Sequence, residues 1–231
     1  MALLISLETA TQVCSVALAK DGEVLAVKES SEDKSHSRQI TVFIEEVLAK
    51  AGVAVKDLEG VAVSEGPGSY TGLRIGVSTA KGLCYGLDIP LMAVNTLQSM
   101  ALGASVERND GENTLFCPLI DARRMEVYYA LYDERNEMVK EIKAEIVDES
   151  FLESHFQKHE IVFFGDAVEK CEEVLKYNAN ARFLKNHLPT ASNMAVLAEK
   201  KYNAKQFEDL AYFEPFYLKD FVAVKPKKLV P

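Results

Sequence analysis

Positive charge is in short supply in this chain. Lys and Arg number 26 against 35 Asp and Glu, a formal net charge of −9 over 231 residues, and the only basic cluster is Lys225, Lys227 and Lys228. A protein that grips a nucleic-acid backbone unaided needs a basic face, so that class is excluded. Cysteine is scarce as well: Cys14, Cys84, Cys117 and Cys171 lie far apart, form no CxxC pair and sit mostly in apolar runs. That spacing excludes a disulfide framework and a zinc ribbon, and predicts buried thiols in a reducing compartment. No apolar run approaches the roughly 20 residues that a membrane span requires, and the opening "MALLISLETAT" has no basic segment of the secretory kind. The expectation is a cytoplasmic protein without a membrane partner. Also missing are a Ser/His/Asp order, a Cys/His pairing and paired catalytic carboxylates.

What is present is an alternation of strands and helices. "ALLISLET", "VCSVALAK" and "EVLAVKES" have strand character, the last two joined by Asp21-Gly22, a strong hairpin signal. Ile40, Phe43, Ile44, Val47, Leu48 and Ala51 then follow helical spacing, with Ser35 or Ser37 as cap and Gly52 as stop. The strand "GVAVSEG", a glycine-rich helix over 70–86, the strand "IPLMAVN" and a helix through "TLQSMALGA" complete the first half. Asn109-Asp110-Gly111 looks like a joint, and beyond it comes a second meander: "TLFCPLIDA", "MEVYYALYD" and "EMVKEIKAEIV". The helix "DESFLESHFQKH", the strand "IVFFGDA" and the helix "AVEKCEEVLKY" follow. The pattern predicts an α/β protein of two units, 1–108 and 109–231, each a β-β-β-α-β-α set with a mixed sheet flanked by helices. At this length a chain buries roughly 70 to 75% of its extended surface, so no motif is needed merely to hold the fold.

One stretch calls for a functional explanation, "SEGPGSYTGLRIGVSTAKGL", residues 64 to 83. Gly66, Gly68 and Ser69 form a turn between strand and helix, a place where free N–H groups and the helix dipole attract anions. The turn lacks the lysine of a Walker loop, so it is either a structural tight turn or a phosphate cradle of another kind. Inside the helix Gly72, Gly76 and Ala80 recur every four residues, although glycine in a helix costs about 1 kcal/mol relative to alanine. Such a stripe lets another backbone approach closely, either this protein's own sheet or a helix across a subunit boundary. His155 and His159 have metal-ligand spacing, but no third ligand accompanies them and their charged neighbours predict a solvated face. His36 heads the amphipathic helix, His187 has no visible companion, and Asp121 is placed to pair with Arg123 or Arg124.

Together, "LISLETATQVCSVAL", "SEGPGSYTGLRIGVSTAKGL", "IPLMAVNTL" and "IDARRMEVYYALY" resemble the TsaB family, also called YeaZ, bacterial paralogues of the tRNA-modification enzyme TsaD. The resemblance implies a two-lobed actin-like (ASKHA, RNase H-like) fold. It also implies work with TsaD and the ATPase TsaE in forming N6-threonylcarbamoyladenosine at position 37 of tRNAs that read codons beginning with A. TsaD carries V-N-H-L-E-G-H after its fifth strand, with two metal-binding histidines, where this chain reads "VNTLQSMA" with Thr96 and Met100. A third ligand, an aspartate, is replaced by Ser192 in "TASNMAVLA". These departures imply a non-catalytic partner with no metal and no catalytic residues.

The second phosphate loop is reduced to "FFGDA", Gly165 to Ala167, while Glu8 and Thr9 match the first. Any nucleotide site, formed by Glu8, Thr9, Gly66, Gly68 and Ser69, would therefore be weak or vestigial, and no cofactor is expected. By the same resemblance TsaD docks on the first two helices, through His36, Ile40, Phe43, Ile44 and Val47 and through Gly72, Arg74, Gly76, Val77 and Ala80. The isolated chain is compatible with a homodimer, and tRNA would be met only through the complex. Two alternatives from other classes are an M22-type metallopeptidase and a small-molecule phosphotransferase of the actin and sugar-kinase superfamily.

Overall fold

The computed structural model describes residues 2–31, 36–108 and 113–219. The first sheet contains β1 (Leu3–Glu8), β2 (Cys14–Lys20), β3 (Glu23–Ser30), β4 (Gly60–Gly66) and β5 (Leu91–Asn95) in the order β3-β2-β1-β4-β5. β1 pairs antiparallel with β2 and parallel with β4. Every residue of β1 is buried, as expected for a central strand covered on both faces. Asp21 and Gly22 both take positive φ, 55° and 78°, the geometry of a two-residue hairpin turn of primed type.

α1 (His36–Ala51) and α2 (Tyr70–Leu87) cover one face of this sheet. Leu3, Ile5 and Leu7 of β1 meet Ile40, Phe43, Ile44, Val47 and Leu48 of α1 and Val77, Ala80 and Cys84 of α2 in one apolar cluster. Of the two proposed caps for α1, Ser35 lies outside the described residues and Ser37 is within the helix.

The second sheet repeats the arrangement. β6 (Thr114–Asp121), β7 (Glu126–Tyr132), β8 (Met138–Ile146), β9 (Glu160–Phe164) and β10 (Ala181–Leu184) run in the order β10-β9-β6-β7-β8, with β6 antiparallel to β7 and parallel to β9. β6 thus takes the place that β1 has in the first sheet, and the two sheets correspond strand for strand, β10 being a strand that the sequence pattern does not place. α4 (Glu153–Phe156) and α5 (Val168–Leu175) cover its outer face.

The helix expected over "DESFLESHFQKH" is reduced to the single turn α4. Asp148 ties up the Ser150 N–H and hydroxyl, at 2.9 and 2.7 Å, and Leu152 sits at φ 58°. A left-handed residue at that point prevents a helix from starting earlier.

α3 (Thr96–Arg108) and α6 (Ala195–Asn203) lie between the sheets and are exchanged across them. α3, from the first half of the sequence, buries Leu97, Met100, Ala101 and Ala104 on the second sheet. α6, from the second half, buries Ala195, Leu197 and Ala198 against the first, beside Leu4, Ala17, Met92 and Val94. Each lobe is therefore completed by a helix from the other half of the chain. The joint at Asn109-Asp110-Gly111 and the basic tail Lys225 to Lys228 lie outside the described residues.

Interlobe cleft and the outer face of the first two helices

The turn after β4 is built to fit its own neighbours. Gly66 has φ 113°, and a Cβ there would come within 2.8 Å of the Phe216 carbonyl oxygen. A Cβ on Gly68 would collide with the carbonyl oxygen of Ala10, to which Ser69 donates its N–H at 2.6 Å. Ser69 caps α2, its hydroxyl accepting from the Gly72 N–H at 3.2 Å. The glycines thus let the turn lie directly on the loop that follows β1.

The glycine stripe of α2 serves the same contact within the chain. A Cβ on Gly72 would strike the Thr9 carbonyl, and one on Gly76 would strike the Thr9 hydroxyl. Val77 and Ala80 are buried in the first core, as are Ile40, Phe43, Ile44 and Val47 of α1. Of the ten residues expected at a partner interface, only His36 and Arg74 reach the surface. The physical reason is geometric: the apolar, small-residue faces of both helices are those that must cover the sheet.

Glu8 and Thr9 are fully buried and do not line the cleft between the lobes. Glu8 Oε1 accepts the Ala10 N–H at 2.7 Å, and burial raises its carboxyl from 4.5 to about 7, against the lowering effect of that bond and of Ser64. Among the candidate nucleotide-site residues only Gly68 and Ser69 face the cleft. Gly66 instead supports the backbone of the C-terminal segment.

The cleft has a volume of about 930 Å³. On the first lobe its wall includes Thr11, Gln12, His36, Gly68, Ser69 and Thr71; on the second it includes Asp121, Arg123, Tyr128 and Asp166. His36 Nε2 lies 2.9 Å from the Thr11 carbonyl oxygen and so donates to it. Asp121 is not paired with the side chain of Arg123 or Arg124, as the sequence suggested, but with Lys170. Lys170 Nζ donates to Asp121 Oδ1 at 2.5 Å and to the carbonyls of Arg124 and Glu126 at 2.8 and 2.9 Å. Arg123 and Arg124 both have positive φ, so the lysine ties down a strained turn.

Asp166 accepts the Asp121 N–H at 2.8 Å, and loss of solvation at the cleft wall, with the Asp121 charge adding to it, raises its carboxyl to about 6 against the lowering effect of that bond. Nothing in the local pattern signals that Asp121 and Asp166, 45 residues apart, meet at this rim. The parallel pairing of β6 with β9 brings them together.

The positions that differ from TsaD do not converge on the cleft either. Thr96 and Met100 are buried on α3, Ser192 hydrogen-bonds Thr190 at 3.0 Å, and none of the three lines the cleft. His155 and His159 are half-buried at α4 and not fully solvated, and burial lowers the His155 imidazole. His187 has companions the sequence did not reveal: Met100 O at 3.2 Å, Glu107 at 3.2 Å and the edge of Phe164. Among the described residues no group of three or more His, Cys, Asp or Glu is placed to hold a metal ion, and no helix is long and apolar enough to cross a membrane.

The surface that α2 turns outward has a second set of small residues. A Cβ on Gly82 or Gly86 would meet nothing within 4 Å, and Tyr85 between them is 84% exposed. Val42 of α1 is 46% exposed. Ser37 and Thr41 of α1 and Tyr70, Thr71, Arg74 and Ser78 of α2 line a shallow groove between the helices. The sequence signal for this face was available, since Gly82 and Gly86 are as costly in a helix as Gly72 and Gly76.

Comparison with known proteins matches residues 23–227 to the family described as "TsaD: tRNA N6-adenosine threonylcarbamoyltransferase". The chain is 33% identical to the tRNA threonylcarbamoyladenosine biosynthesis protein TsaB of Escherichia coli over 96% of each chain. It is 30% identical to that of Bacillus subtilis over 94% of this chain and 93% of the relative. Among solved structures, a Pseudomonas aeruginosa protein with similarity to peptidase YeaZ superposes with a TM-score of 0.82 at 26% identity, covering 95% of this chain and 100% of that one. With the duplicated sheets and the full-length match to these relatives, the chain belongs to the TsaB (YeaZ) family and has its two-lobed actin-like fold.

Proposed function

We propose that this chain is a non-catalytic subunit of the machinery that makes N6-threonylcarbamoyladenosine in tRNA, and that it acts by binding TsaD, with TsaE joining the assembly. What carries this reading is the set Thr96, Met100 and Ser192 at the three positions that, by the family resemblance, correspond to the metal ligands of TsaD. A hydroxyl and a thioether on the buried side of α3 are poor substitutes for two imidazoles on a hard or borderline ion. The net charge of −9 supports it, since tRNA would then be held by the assembly and not by this subunit.

The docking face is the outer side of α1 and α2, centred on Gly82, Tyr85 and Gly86, and it includes Val42 and the edge residues His36 and Arg74. Two glycines in a helix with open space around them, beside an exposed tyrosine, suit the close approach of another helix and the anchoring of an aromatic side chain. Any nucleotide would bind weakly in the cleft through Gly68 and Ser69.

Two measurements test the proposal. Co-purification with the same organism's TsaD followed by sizing is expected to give a stoichiometric complex. Elemental analysis after chelator-free purification is expected to find no bound metal, and one tightly held zinc or iron per chain would contradict the non-catalytic reading.

A further inference from the structure

The lobes are joined covalently where β5 runs into α3 and where the chain returns from β10 toward α6. Neither crossing lies in the cleft wall, yet the cleft is bounded by a third link. After α6 the chain runs back over the first lobe: Glu208 donates its N–H to Leu91 O at 2.9 Å, and Leu210 and Phe213 pack on the first core. Lys81 Nζ holds the Ala211 carbonyl at 3.4 Å. Phe216 then donates its N–H to Glu65 O at 2.7 Å, and its own carbonyl lies over Gly66, where no Cβ would fit.

Next, Tyr217 accepts from Arg74 Nε at 3.1 Å and packs against Tyr70 with ring centroids 4.9 Å apart and the ring planes tilted by 37°, while the Arg74 guanidinium covers the Tyr70 ring. Two residues later Lys219 forms an ion pair with Glu126, at the start of β7 in the second lobe. Phe216, Tyr217, Leu218 and Lys219 thus form part of the cleft wall and reach from one lobe to the other.

We propose that residues 206–219 are a latch that holds the cleft closed: Tyr217 anchors it on α2, and Lys219 fastens it to the second lobe at Glu126. The chemistry suits a reversible fastening. The anchor is a tyrosine and an arginine at the surface, the far end is a single ion pair half open to water, and both exchange with solvent more readily than a buried core contact. The segment before Phe216 is by contrast held by backbone bonds and by Leu210 and Phe213, so release at Tyr217 and Lys219 frees the cleft without detaching the whole segment. This inference is independent of any partner.

The test uses the full-length chain with spin labels on Glu45→Cys in the first lobe and Lys143→Cys in the second, both exposed positions. The four native thiols are buried, and burial raises Cys14 to about 11 and Cys84 and Cys171 to about 12, so labelling falls on the introduced cysteines. Double electron–electron resonance is expected to give one narrow distance distribution for the parent. Tyr217→Ala and Lys219→Glu should broaden it and shift it, and amide exchange at Gly68 to Thr71 should speed at least tenfold while the melting temperature holds. Adding Glu126→Lys to Lys219→Glu should restore the narrow distribution. If Tyr217→Ala does not fold, Tyr217→Phe, which loses only the hydroxyl that Arg74 uses, takes its place. Unchanged distributions in these variants, or a charge swap that fails to restore the parent's, would overturn the latch.

Discussion

At the scale of single residues, Gly76 and Glu8 decide how the first lobe is read. Gly76 lies on Thr9, so Gly76→Leu forces four extra carbons into a contact that has no space. Overpacking of this kind costs about 1 to 3 kcal/mol or more, and here the cost falls on folding. Thermal melting of Gly76→Leu should therefore show a fall of several degrees or an insoluble product. A variant that melted like the parent and lost only TsaD would return the stripe to the interface. Phe43→Asp follows the same logic, because Phe43 is buried in the core and its replacement leaves a charge there without a partner.

Glu8 has a signature in pH. Its carboxyl is raised from 4.5 to about 7, so the folded chain keeps the proton to a higher pH than the unfolded chain does. Its contribution is full below pH 4.5 and is lost as the pH rises through about 7, a difference of about 3 kcal/mol for a shift of this size. Asp166, raised to about 6, acts in the same direction. Urea unfolding from pH 5 to 8 should show stability falling with pH in the parent and a flatter profile in Glu8→Gln. Equal slopes in the two proteins would mean that Glu8 does not carry the proton.

At the scale of elements, α2 presents two faces that the sequence made look alike. Glycines at 72 and 76 and at 82 and 86 recur with the same spacing, and periodicity alone could not say which pair meets the sheet. What decides is the loop after β1, which places Thr9 under the first pair; that loop's position depends on pairing between strands distant in sequence. The outer pair then gives a prediction of opposite sign to Gly76. Gly82→Ala adds a methyl group where nothing lies within 4 Å and removes the helix cost of glycine, so it should stabilise by about 0.5 to 1 kcal/mol. For a chain of this size that is a rise of roughly 2 °C in Tm. No rise, or a fall, would mean that the Gly82 position is not open.

The amphipathic pattern of α1 and the Asp21-Gly22 hairpin were legible because each rests on neighbours a few residues away. α4 was not, because one left-handed residue, Leu152, ends what the apolar pattern suggests. The 195–203 helix, α6, was also missed: it is short, and its burial on the first sheet is a contact between the two ends of the chain.

At the scale of the whole molecule, the repeat was readable as two strand meanders with a strand and a helix after each, and the sheet orders confirm it. The exchange of α3 and α6 was not readable, since both halves supply helices of similar length and only tertiary packing assigns them to a sheet. The cleft was half legible: Gly68 and Ser69 announced themselves as a turn, whereas Asp121, Asp166 and Lys170 come together only when β6, β9 and α5 assemble.

The central claim is that this chain binds TsaD through the outer face of α2. Isothermal titration of purified TsaD with the parent chain and with Gly82→Leu/Tyr85→Asp, both first checked for equal melting, tests it most directly. The parent should bind with one-to-one stoichiometry, and the double variant should bind at least tenfold more weakly, a loss of about 1.4 kcal/mol or more, while remaining folded. No binding by the parent, or equal affinity in the two proteins, would contradict the claim.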